Sequence, residues 1–97
     1  MPTHNEDARF LREWDRLTHE QKVRFGRALQ QFIGGLRSRH MPPGLRIKRY
    51  QGSDSVFEMT WAPDGRALFY YGDEIQPGQT HVEWLRIGTH AILDDAW

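Results

Sequence analysis

Four basic side chains, one carboxylate and one histidine between positions 46 and 90 supply the residue types that phosphodiester chemistry needs. In Leu45-Arg46-Ile47-Lys48 the side chains of a strand would alternate, with Leu45 and Ile47 on one face and Arg46 and Lys48 on the other. Arg49 extends the same basic run. In Phe57-Glu58-Met59-Thr60-Trp61 the apolar residues make one face and Glu58 points away, toward the side of Arg46 and Lys48. A carboxylate among cations is either an ion-pair partner that orients Lys48 or Arg66, or a general base. Arg66 opens the next strand directly after a turn, where a guanidinium can grip a phosphate through two oxygens. His90, in Ile87-Gly88-Thr89-His90, follows the last strand, and its imidazole can donate a proton to a leaving alkoxide or take one from a hydroxyl. The same residues also have ordinary uses: cations solvate an exposed strand face, and a lone histidine packs or points into water.

Other chemistries lack their residues. His4, His19, His40 and His81 are scattered without a metal-ligand spacing, so no metal site and no cofactor are expected. No glycine loop cradles a phosphate, and no nucleophile elbow surrounds Ser38, Ser53 or Ser55.

Two helices and four strands must position the candidates. Phe10, Leu11, Trp14 and Leu17 recur at helical spacing over residues 8–17. Thr18 and Gln21 form a capping-box pair, after which Val23, Phe25, Leu29, Phe32, Ile33 and Leu36 mark one stripe of a second helix. So short a joint predicts a helical hairpin. Met41-Pro42-Pro43-Gly44 cannot continue the helix. The period then becomes two in residues 45–48, 56–61, 66–71 and 81–87, which predicts four strands. Ala62-Pro63-Asp64-Gly65 suits a hairpin turn. Residues 73–80, with Pro77-Gly78, read as a surface loop. The expectation is an α+β domain, an N-terminal helical hairpin packed on a curled four-stranded antiparallel sheet, with the opposite sheet face left for function. Residues 1–97 make one domain, of which 1–7, polar and without β character, are a flexible or atypical N-terminus.

Composition narrows the classes further. Thirteen basic and thirteen acidic residues cancel, which removes the long-range attraction behind generic nucleic-acid binding. The cations are clustered instead: residues 36–50 hold Arg37, Arg39, His40, Arg46, Lys48 and Arg49 with no acid among them. There is no cysteine, no signal-peptide core and no segment apolar enough to span a bilayer, so a cytoplasmic protein free of membranes is expected.

The order of these pieces resembles the RelE/ParE toxin superfamily: Phe10-Leu11-Arg12-Glu13-Trp14, a Pro-Gly break, Leu45-Arg46-Ile47-Lys48, Phe57-Glu58, Asp64-Gly65-Arg66 and a terminal Arg86-Ile87-Gly88-Thr89-His90. Within it, the chain is most similar to the YafQ-like and YoeB-like branch with a C-terminal Gly-x-His segment. The resemblance spans roughly residues 10–93. It implies a toxin of a toxin–antitoxin system that cuts messenger RNA, usually on the ribosome, without a metal, and is held inactive by a cognate antitoxin. It makes Lys48 and Arg46 the basic residues of the first strand after the helices, Arg66 the arginine on the scissile phosphate, His90 the terminal acid or base, and Arg86 a further phosphate-binding position. Many relatives begin with a strand, which residues 1–7 are not expected to form. Two rivals belong to the same superfamily: a ParE-like toxin that poisons a topoisomerase by binding, and an inactive relative that only binds an antitoxin.

Overall fold

Both helices are started by side chains that take up orphan backbone donors. Asp7 accepts from the Arg9 N–H at 3.2 Å and opens α1 (Ala8–Asp15). Thr18 caps α2 (His19–Ser38) through the full capping box: Thr18 Oγ1 accepts from the Gln21 N–H at 3.1 Å and Gln21 Oε1 from the Thr18 N–H at 2.8 Å. Gly34-Gly35 does not end α2. Gly35 is buried, and a Cβ there would lie 2.5 Å from Met41 Sδ, so its bare backbone lets the chain fold back over the helix.

The computed structural model describes residues 2–94. Its sheet has five strands: β1 (Thr3–Glu6), β2 (Lys48–Arg49), β3 (Val56–Thr60), β4 (Gly65–Gly72) and β5 (His81–Thr89), in the spatial order β1-β5-β4-β3-β2. β1 runs parallel to β5 and all other neighbours are antiparallel, so the sheet is mixed and not the four-stranded antiparallel one that the periodicity predicts. Residues 3–6 are therefore a strand despite their polarity. At the sheet edge, backbone pairing with β5 needs no apolar alternation.

A second correction concerns residues 45–48. Pro43–Leu45 form a turn of 3-10 helix, Arg46 closes it with φ 48° in the left-handed region, and only Lys48–Arg49 pair as a strand. The prolines preset the turn, and Leu45 goes into the core.

The sheet divides two clusters. On the helical side Phe10, Phe25, Phe32, Phe69, Trp61 and Trp84 build an aromatic core with Met59, Val82 and Ile87. Phe25 meets Trp61 and Trp84 edge-on at ring separations of 6.1 and 5.6 Å. On the other side Val56, Leu68 and Ile92 form a small cluster joined by Tyr50, Leu85 and Leu93. That face is thus partly covered, by the 3-10 turn His90–Leu93, and not left bare as expected. Tyr50 pins this turn by donating its hydroxyl to the Leu93 carbonyl at 2.6 Å. No helix among the described residues is long and apolar enough to cross a membrane.

Candidate functional site

The turn between β3 and β4 gathers three polar side chains. Gly65 pairs with Thr89 across the β4–β5 ladder, which brings Asp64, one residue before β4, beside His90, one residue after β5. Asp64 Oδ1 and His90 Nδ1 are in direct hydrogen-bond contact, with both side chains exposed. A carboxylate can only accept, so Nδ1 carries the proton, and Nε2 has no partner among the described residues. The His90 contact holds the Asp64 carboxyl below its ordinary value; slight desolvation opposes this, and the Arg66 charge adds to it.

Arg66, half-buried, stands opposite Thr60 on β3 and Gly88 on β5. Its Nη1 donates to the carbonyls of Gly65, Pro63 and Ala62 at 2.9, 3.3 and 3.4 Å. These bonds all leave from one nitrogen of a five-donor fork, and they fix the guanidinium at the turn.

Lys48 and Glu58 are direct cross-strand partners, with Nζ and Oε1 3.7 Å apart. Glu58 is buried, and the Lys48 ammonium reaches in from solvent. Because Glu58 faces Leu68, Arg66 is its diagonal neighbour on that face, a spacing of roughly 7–8 Å in an antiparallel sheet. The Lys48–Glu58 pair therefore borders the Asp64–His90–Arg66 cluster.

The remaining predicted residues lie elsewhere. Arg46 is exposed at the end of the 3-10 turn, outside any strand, so it does not alternate with Lys48. Arg49 is exposed on β2 opposite Phe57 and points to the face away from Lys48. Arg86 is buried: its Nε and Nη2 bind the Glu13 carboxylate at 2.7 to 3.0 Å, and Glu13 Oε1 also accepts the Ile87 N–H at 3.2 Å. β1 covers β5 only as far as Trp84, and Glu13 of α1 satisfies the strand edge beyond it. Arg86 is withdrawn from any phosphate at the surface. Asp64 is the member the sequence reading passed over, as a turn residue. Its signal was the Asp64-Gly65-Arg66 triplet, legible only once Gly65 is known to face Thr89. Among the described residues no three His, Asp or Glu side chains come together in a way that could hold a metal ion.

No protein-family model and no curated protein matches the sequence. Solved structures do match in shape. A copper-bound mutant toxin from Helicobacter pylori superposes with a TM-score of 0.65 at 20% identity, over 94% of this chain and 97% of that one. YafQ in the DinJ–YafQ toxin–antitoxin complex of E. coli gives 0.60 at 16%, over 95% and 96%. YafQ of E. coli strain BL21(DE3) gives 0.58 at 14%, over 96% and 98%. At these identities the shared property is the fold, along nearly the whole of each chain.

Proposed function

We propose that this chain is the toxin of a toxin–antitoxin pair and acts as an endoribonuclease on messenger RNA, inhibiting translation at the ribosome. The observation that carries the reading is the Asp64–His90 pair beside Arg66, on an exposed turn of a fold shared with solved toxins. In the reaction a ribose 2′-hydroxyl attacks the adjacent phosphorus and the P–O5′ bond breaks, so one proton is removed and one returned, with no metal taking part. Arg66 neutralises the charge that grows on the phosphoryl oxygens. His90, its Nδ1–H held by Asp64, in its imidazolium form gives the Nε2 proton to the departing 5′-oxygen and is left neutral. Glu58 or His90 receives the 2′-hydroxyl proton, and the Lys48 ammonium, 3.7 Å from Glu58, orients that carboxylate. Arg46 and Arg49 attract the strand from outside this centre.

The partner is a cognate antitoxin, as DinJ is for YafQ in the E. coli complex. The deciding experiment is expression without an antitoxin. Growth should stop with loss of message and of translation while replication continues. His90→Ala should lower cleavage on programmed ribosomes by about 10²–10⁴-fold while remaining folded. Early DNA damage with intact messenger RNA would overturn the proposal in favour of a topoisomerase-binding toxin. A folded His90→Ala protein that cuts within about threefold of wild type, well under that acid–base range, would remove His90 from the chemistry.

A further inference from the structure

The residues just described occupy one side of the β3–β4 turn. On its other side, between the turn and α2, lie two adjoining clefts of about 380 and 540 Å³ that share Arg24, Trp61, Ala62 and Pro63 as a common wall. The smaller reaches Asp64 and Thr89, next to His90, and the larger extends along α2 past Arg27 to Gln31. Residues 20, 24, 27 and 31 share one stripe of α2, so the Arg24 and Arg27 stems start roughly 5–6 Å apart along the cleft.

Neither arginine is committed to the fold. Among the described residues Arg24 pairs only with Glu20 of its own helix, at 3.6 Å and with both side chains exposed, a pairing that water and salt weaken. Arg27 is exposed and makes no ion pair among the described residues. Among the described residues no carboxylate lines the larger cleft. In the shared wall, the Trp61 indole N–H is the one buried side-chain polar atom among the described residues that lacks a hydrogen-bond partner. A polar ligand or its bridging water can supply the acceptor. In a chain whose formal charge cancels, two uncommitted guanidinium groups in a groove that ends at the proposed reaction centre are a local attraction for a polyanion.

We infer that this cleft is a second RNA subsite, in which Arg24 and Arg27 hold the phosphates of the substrate strand flanking the cut. The inference rests on the ribonuclease reading for the direction of the strand but not for its test. The probe is a fluorescein-labelled, fully 2′-O-methylated RNA of mixed sequence, about 12 nucleotides long, which has no free 2′-hydroxyl and cannot be cut. The Arg24→Gln/Arg27→Gln protein should bind it about tenfold more weakly. Its slope of log affinity on log salt should fall by about 1.4, since each single-strand phosphate contact contributes roughly 0.7. Arg12→Gln, on exposed α1 surface, should stay near wild type, and all variants should melt like it. Unchanged affinity and slope in the double variant, or no binding by wild type, overturns the subsite. A second arm uses message-free ribosomes: loss of ribosome affinity with unchanged oligonucleotide binding would assign the arginines to ribosomal RNA and overturn the substrate-strand role. Binding carried by Arg24 and Arg27 in a protein that cuts nothing would keep the cleft and remove the ribonuclease. Cutting of messages that ignores the double variant would do the reverse.

Discussion

Asp64 and His90 constrain each other at the scale of single groups, and the constraint has a measurable sign. The folded protein binds the Asp64 proton less readily than the unfolded chain, because ionised Asp64 accepts from His90. The contact therefore favours folding above the unfolded value near 3.8, and that contribution is lost as pH falls through the lower, folded value. A carboxyl-carbon NMR titration should place the Asp64 midpoint below 3.8 in wild type and return it toward 3.8 in His90→Ala. An unmoved midpoint would show that the contact is not populated in solution. Asp64→Asn should reduce cleavage less than His90→Ala does, because the imidazole remains but its tautomer is no longer imposed. Arg66→Ala removes a charge at the phosphate, and single-turnover cleavage should fall by roughly 10²–10³. At this scale the sequence was readable where chemistry coincided with alternation. Lys48 and Glu58 share a face as their strand periods imply, whereas Arg86 reads as one more surface cation until Glu13, 73 residues away, is seen to hold it.

Two elements depend on a close fit. Glu13 and Arg86 join α1 to the uncovered half of β5, and both are largely removed from water. Glu13→Ala would take from the buried Arg86 guanidinium the carboxylate that binds its Nε and Nη2, a loss of about 3–5 kcal/mol in denaturant-monitored stability. Glu13→Leu with Arg86→Met should recover most of it, leaving the unpaired Ile87 N–H as a deficit of about 1–3 kcal/mol. An additive double variant would contradict the coupling. The β3–β4 turn is tight in another way. A Cβ on Gly65 would stand 2.5 to 2.8 Å from three ring atoms of Trp61, so Gly65→Ala should destabilise by about 1–3 kcal/mol, while Gly34→Ala, with open space around it, should not. The helices were legible because capping and a 3.6-residue apolar stripe act locally. β1 and the 3-10 turn at Pro43–Leu45 were not: the first is ordered by hydrogen bonds to a strand far along the chain, and the second by proline geometry that overrides an apolar alternation.

Across the whole molecule, the sheet is finished by the pairing of its most distant parts. Thr3 faces His81, and the Thr3 hydroxyl bonds to His81 Nδ1 at 2.7 Å while His81 Nε2 donates to Glu83 at 3.1 Å. Partners 78 residues apart carry a large loop-closure entropy, of order 4 kcal/mol for a free chain, so this contact is unrewarded until β3, β4 and β5 have condensed. β1 is then a late arrival on the folding route, added to a nearly complete sheet. Thr3→Val, which removes the hydroxyl and keeps the shape, should lower stability by about 1 kcal/mol. In stopped-flow measurements nearly all of that loss should appear as faster unfolding, with the refolding rate unchanged, and a slowed refolding rate would instead put β1 in the nucleus. The strand that sequence periodicity leaves invisible is in this way the latch that governs how long the finished protein stays folded.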